Sequence, residues 1–471
     1  MTGRRARIGI VGAVALLGAG GGGAAAAGPP VAPTPVAPTP GAPGLGDPFF
    51  PLAGNGGYDV SHYRLDLAYD PAATRLDGSA VIQARATQAL SRFDLDLRPF
   101  LAVSAVTVDG RPAVVARDGQ ELVITPARPL RAGGAFTVAV RYGGTPEPVV
   151  DPDGSIEGFV PTADGAFVVG EPQGSPGWFP ANDNPRDKAT YDISVTVPAG
   201  LTAMSNGRLV ATRKGNGRTT WMWREDDPMA TYLATATLGN FSLSISKVDG
   251  IPSYVAVDPT QAAASAPVLA KLPAMVRYFR GVFGPYPFDA VGAIVDDAPD
   301  VGYALESQTK PNFDRAPDEA TLAHELVHQW YGDSVTLTTW PDIWLNEGFA
   351  TYGEWLWGAH AGGPTTQARF DALYAAPADD AFWTLPPADP GDAADLFAGP
   401  VYDRGAMTLQ ALRVKVGDPA FSAILRRWYA ENRSGNVTTA GFVALAERVS
   451  RRDLDAFFHT WLYLPAKPTT W

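Results

Sequence analysis

The chain of 471 residues contains no cysteine. Disulfides, thiolate metal sites and a cysteine nucleophile are therefore excluded, and any metal must be held by imidazole and carboxylate. Histidine is scarce too: His62, His324, His328, His360 and His459 are the whole supply. Charged residues make up only 18% of the chain, and the net charge is −12. No basic cluster lies in the body of the chain, which argues against nucleic acid as a partner. Beyond the N-terminal segment no apolar run is long enough to cross a bilayer, so no stable membrane span is expected once that segment is removed.

What is present points to a globular protein. Hydrophobic residues reach 46%, with 12 Trp, 16 Tyr and 21 Phe, and disordered chains are poor in aromatics. The length suits two or three domains with a large buried core. Arg4, Arg5 and Arg7 precede a short apolar run at residues 8–17, and small residues follow to Ala27. This reads as a signal peptide over residues 1–27 and predicts an exported, secreted protein. The Ala/Gly/Pro-rich composition and the missing cysteine suit a bacterial one. Residues 28–51 contain PVAPTPVAPTPGAP, which predicts an extended polyproline tether.

From about Tyr58 the hydrophobic period is two. Tyr63, Leu65 and Leu67 alternate with polar residues, as do Phe93, Leu95 and Leu97, and then Ile193, Val195 and Val197. Turn signals at Asp109-Gly110 and Asp153-Gly154 separate such runs. Residues 52–246 are therefore predicted to form an all-β saddle or sandwich. Residues 247–471 change character: residues 261–283 have helical spacing, a strand follows at residues 291–295, and helical patterns run on from there. The expected fold is multidomain α and β, with the β domain first and a mostly helical domain second.

Residues 321–332 read TLAHELVHQWYG. His324 and His328, four apart on a helix, project from one face, and both imidazoles can reach a single Zn²⁺. Glu325 lies beside the first of them, where a general base for an activated water belongs. Eighteen residues separate His328 from Glu347, in IWLNEGFATY, on a second amphipathic pattern. Two His and one Glu leave a fourth position open, the arrangement of a catalytic zinc. Asp333 and Asn346 flank these residues and are candidates to orient them. His62, His360 and His459 lie outside the motifs and are read as non-catalytic.

HELVHQWYGD and WLNEGFATY together resemble the zinc aminopeptidases of the aminopeptidase N and leukotriene hydrolase type, the gluzincin aminopeptidases, over nearly all of residues 46–471. The resemblance implies a thermolysin-like catalytic domain behind the β saddle, one zinc ion, and peptide substrates with a free N-terminus. With the chain ending at Trp471, it implies a short form without the large C-terminal helical domain. It implies that Glu306, in GYALES, binds the substrate α-amino group, although Tyr303, Leu305 and Ser307 stand where the family often has Gly, Met and Asn. It implies a further amine-binding residue within GEPQGSPGWFPANDNP, either Gln173 or Glu171, and makes Tyr402, in VYDRGAM, the donor to the oxyanion. The alternatives are a zinc endopeptidase with the same ligands and a catalytically silent secreted binding protein.

Overall fold

The computed structural model describes residues 37–469. The signal-peptide expectation and the start of the predicted tether lie outside the described residues.

An eight-stranded sheet dominates the N-terminal half. Its order is Arg208–Gly215, Arg218–Ala230, Lys188–Pro198, Tyr58–Asp70, Arg75–Ala86, Ala135–Gly144, Leu101–Val108, Arg111–Pro112. The two-residue period does its expected work here. Tyr63, Leu65 and Leu67 are buried opposite Tyr191, Ile193 and Val195 in a parallel register, and Tyr63 stacks on Tyr191 with centroids 4.9 Å apart. Asp109 and Gly110 both take positive φ (49° and 72°), as a tight hairpin turn requires. A four-stranded sheet covers part of this layer. Its strand Leu90–Asp96 buries Asp94 and Asp96 as well as Phe93 and Leu95, so a strict apolar-in, polar-out reading fails there. Asp96 Oδ2 accepts hydrogen bonds from Gly54 N–H, Asn55 Nδ2 and Asp183 N–H, which is why the carboxylate can sit inside.

The predicted tether is corrected over its second part. Residues from Pro38 onward belong to the compact body of the molecule. Thr39–Pro40 pairs in parallel with Leu90 and Arg92. Asp47 is buried, accepts from Phe49 and Phe50 N–H, and reaches across to accept from Trp340 N–H. The packing of Phe50 against Trp340, with centroids 6.1 Å apart, supplies the apolar contact that a Pro-rich pattern conceals.

A further five-stranded sheet joins Ser242–Val248, Ile251–Val257, Val291–Val295, Asn312–Phe313 and Ala304–Leu305, so a boundary at 246/247 would cut its first strand. The helices of the described residues follow in order: α1 (Ala262–Leu269), α2 (Leu272–Phe283), α3 (Glu319–His328), α4 (Trp344–His360), α5 (Thr366–Tyr374), α6 (Gly399–Val416), α7 (Asp418–Asn432), α8 (Thr439–Ser450) and α9 (Asp455–Leu462). The helical pattern of residues 261–283 is thus two helices, with Pro273 in the first turn of the second. Leu272, Met275, Val276 and Phe279 still form the buried face of α2.

Candidate active site

Helix α3 begins at the N-cap Asp318, whose Oδ1 accepts from Thr321 N–H, and runs fully buried from Leu322 to His328. It therefore carries His324, Glu325 and His328 into the interior on one helical turn. Helix α4 packs back against it and brings Glu347 opposite both imidazoles. His324 Nε2 lies 3.1 Å and His328 Nε2 3.5 Å from Glu347 Oε2. Ligand atoms about 2.0–2.1 Å from a tetrahedral centre stand roughly 3.3 Å apart, so these three atoms have the spacing of a zinc ligand set.

The far side of each imidazole fixes which nitrogen is free. His328 Nδ1 faces the carbonyl oxygen of Tyr331 at 3.1 Å; a carbonyl only accepts, so Nδ1 donates there and Nε2 is the nitrogen left to face Glu347. Gly332 permits this approach: its φ is +131°, and a Cβ there would lie 3.0 Å from His328 Nδ1. His324 Nδ1 faces Glu354 Oε1 at 2.6 Å. Sequence reasoning missed Glu354. It lies seven residues after Glu347, two turns along the same face of α4, and that spacing was the available signal. Asp333 and Asn346 are buried next to the ligands, but their side-chain oxygens make no hydrogen bond to either imidazole; the Tyr331 carbonyl takes that part for His328.

Electrostatics agree with a cation-binding centre. Burial alone would lower the pKa of His324, but hydrogen bonds to Glu347 and Glu354 outweigh it and raise the value well above the usual range. Burial would raise the Glu347 carboxyl; His328 and His324 overcome this and pull it down to about 2, so it is ionised and ready to ligate. Glu325 goes the other way: burial raises it to about 8 against the pull of both histidines. Tyr402 is raised well above 10 by burial and then by Glu347, so it keeps its proton.

A cavity of about 680 Å³ opens over this set, lined by His324, Glu325, His328, Glu347, Glu354 and Tyr402 together with Glu171, Glu306, Tyr303 and Phe397. Tyr402 stands in the first turns of α6, its ring 5.9 Å from that of His324. α6 reaches this position by crossing α4 at paired glycines: a Cβ on Gly405 would lie 2.9 Å from Gly348 Cα. Glu306 is held by Gln329, the residue after the second histidine. Gln329 Nε2 donates to Glu306 O at 3.0 Å, and its Oε1 accepts from Thr309 N–H at 2.7 Å. Sequence reasoning gave Gln329 no role.

Glu171 and Gln173 are placed differently. Glu171 is buried in the cavity wall, with carboxylate oxygens of Glu171, Glu306 and Glu347 all within 4.8 Å of one another. Gln173 turns away: its Nε2 donates to Asp151 Oδ1 and its backbone N–H to Glu157. One oxygen each of Glu171, Glu306 and Glu325 is buried without a hydrogen-bond partner. Such groups call for a ligand, because an unpaired buried carboxylate oxygen is costly. His62, His360 and His459 do not line the cavity; His360 stacks on Tyr278 at 4.3 Å.

Comparison with known proteins gives the same picture. The Peptidase M1 N-terminal domain matches residues 60–233 and the Peptidase family M1 domain matches residues 303–461. Glutamyl aminopeptidase of Bos taurus is 29% identical over 313 residues, covering 60% of this chain and 32% of the relative. Aminopeptidase A of Gloydius brevicauda is 27% identical over 445 residues, covering 85% of this chain and 46% of the relative. The chain thus spans less than half the length of these two relatives. Among solved structures, a mutant M1 zinc metallopeptidase of Deinococcus radiodurans bound to Tyr-Ser-Ala superimposes with a TM-score of 0.82 at 30% identity, covering 90% of this chain and 99% of the other. A two-domain M1 zinc metallopeptidase mutant bound to L-arginine gives the same scores. A two-histidine, one-glutamate centre with zinc spacing, beneath both domain matches in the expected order, agrees with that similarity: the chain belongs to peptidase family M1.

Proposed function

We propose that this chain is a zinc aminopeptidase that removes single residues from the N-termini of peptides. The observation that carries the reading is the convergence of Glu171 and Glu306 beside Glu347 inside the cavity. Glu347 is committed to the metal by its two histidine neighbours. Glu171 and Glu306 then remain as buried carboxylates, and a substrate α-ammonium is the cation that satisfies them. On this reading, a free N-terminus anchored there sets the cut after the first residue.

His324, His328 and Glu347 would hold the zinc. When bound, the ion supplies Lewis-acid activation of water and of the scissile carbonyl. The Glu325 carboxylate, with an unpartnered Oε2, takes a proton from the attacking water and delivers it to the leaving nitrogen. Its upward-shifted affinity for protons suits that shuttle. The Tyr402 phenol donates a hydrogen bond to the oxyanion, a contribution worth about 10²–10³ in rate for a single donor. Glu354 and the Tyr331 carbonyl hold the two imidazoles in register. Hydrolysis of free but not N-acetylated aminoacyl-p-nitroanilides tests the reading; cleavage of blocked substrates would instead identify an endopeptidase.

The same reading includes export. The charged, apolar and small-residue succession of residues 1–27 supports it, and among the described residues no helix is long and apolar enough to cross a membrane. Recovery of a mature chain, starting near Gly28, from the culture medium is the expected result; a full-length chain confined to the cells would contradict it.

A further inference from the structure

Three carboxylates gather at a second place in the fold. Asp258 and Asp296 immediately follow Ile251–Val257 and Val291–Val295, parallel neighbours whose last registered pair is Val257 with Val295. They therefore leave the carboxyl end of this parallel pair side by side. Asp164 comes from the N-terminal half, in the turn between Ile156–Pro161 and Ala166–Val169. One carboxylate oxygen from each of the three lies within 4.8 Å of the other two.

Among the described residues no lysine, arginine or histidine forms an ion pair with these three carboxylates. The hydrogen bonds the trio accepts come from neutral donors: Asn240 N–H to Asp164 Oδ2, Thr260 N–H and Oγ1 to Asp258 Oδ1, and Asp297 N–H to Asp296 Oδ1. Asp296 is only 1% exposed, and its Oδ2 is buried with no partner at all. A buried carboxylate with one orphaned oxygen, gathered with two more carboxylates, carries both a desolvation cost and a repulsion. Burial, then Asp164, Asp258 and Asp297, push the Asp296 carboxyl up to about 7.

We propose that Asp164, Asp258 and Asp296 form a binding site for a hard divalent cation, calcium, separate from the zinc centre. The donor set is all oxygen, which disfavours zinc, and it comes from three chain segments, which suits the adaptable coordination of Ca²⁺ better than the strict octahedron of Mg²⁺. The site would tie the N-terminal β domain to the sheet of the catalytic half. It sits at the root of both segments that deliver the amine-binding carboxylates. Asp164 precedes the strand Ala166–Val169 that leads to Glu171, and Asp296 precedes the loop through Tyr303 to Glu306.

The test uses the zinc-loaded full chain in calcium-depleted buffer, titrated calorimetrically with CaCl₂, alongside Asp296→Asn and Asp164→Asn. One site per chain is expected, with Kd on the order of 10⁻⁵–10⁻³ M. At saturating Ca²⁺ the parent should melt about 3 °C or more higher. Asp296→Asn should weaken binding at least about tenfold, remove the melting increment, and melt no lower than the parent without calcium, because the repulsion is gone. Should Asp296→Asn fail to fold, Asp164→Asn, on the half-exposed turn, carries the comparison. No calcium binding by the parent would overturn the proposal. So would binding that persists undiminished in the variants, which would place the ion elsewhere.

Discussion

Replacing Glu354 by alanine should damage zinc binding before it damages anything else. Glu354 Oε1 lies 2.6 Å from His324 Nδ1, a charge-assisted contact that turns Nε2 toward Glu347. Removing it frees the ring and lowers its basicity as a ligand. Loss of such an outer partner typically costs 10–100-fold in metal affinity, or about 1.4–2.7 kcal/mol. The fold should survive, because the Glu354 side chain is 22% exposed and lies at the cavity rim rather than in the core. Zinc affinity is measured by competition with a chelating dye, and activity is measured as a function of free zinc. The zinc dissociation constant should rise 10- to 100-fold, while kcat at saturating zinc falls less. Glu354→Gln, which keeps an acceptor oxygen, should lie between parent and alanine variant. Zinc affinity within twofold of the parent for Glu354→Ala would refute the role assigned to this contact.

Other consequences follow from the geometry. Gly405→Ala places a methyl 2.9 Å from Gly348 Cα at the crossing of α4 and α6, so it should cost about 1–3 kcal/mol and lower kcat by shifting Tyr402 relative to Glu347; thermal melting and steady-state kinetics check both. Asp153 and Asp318 join the carboxylates of the cavity wall, and among the described residues no lysine or arginine lines it. Substrates with Arg or Lys first should therefore exceed those with Glu or Asp first by about tenfold or more in kcat/KM; equal rates would refute this. Burial, and next Asp96, raise the Asp183 carboxyl to about 8. The folded state then holds a proton that the unfolded chain releases near its ordinary pKa of about 4, so this group's contribution is present below about pH 4 and lost as pH rises to about 8. Asp183→Asn, still able to accept from Thr231 Oγ1, should gain melting temperature relative to the parent as pH rises, more at pH 8 than at pH 5, by calorimetry at both values.

Much of the catalytic centre was legible because its grammar is local. Two histidines four apart share a helix face wherever that helix lies, and an intervening acid stands beside them. Glu347 needed a longer inference, that a second helix folds back, and its amphipathic pattern supplied it. Glu354 carried a readable spacing, yet a helix carboxylate usually faces water, so the spacing by itself did not single it out. Gln173 and Glu171 stand two residues apart in the turn after Ala166–Val169, and only tertiary contacts separate them: Asp151 and Glu157 hold Gln173, while Glu171 enters the cavity wall. The Pro-rich stretch hid Asp47 and Phe50, since its composition describes the free chain and not the Trp340 surface that receives it. The break between α1 and α2 was visible as Pro273, but the continuous apolar face ran across it.

The most direct test of the central claim compares free and N-acetylated aminoacyl-p-nitroanilides on the zinc-loaded parent, on Glu306→Gln and on Glu171→Gln, with Glu325→Gln as the inactive reference. The account predicts that only free-amine substrates are cleaved. It also predicts that each amine-site variant loses kcat/KM by about 10-fold or more, chiefly through KM, as removal of one charged partner from a buried ammonium implies. Hydrolysis of the acetylated substrates by the parent, at rates comparable to the free ones, would contradict it.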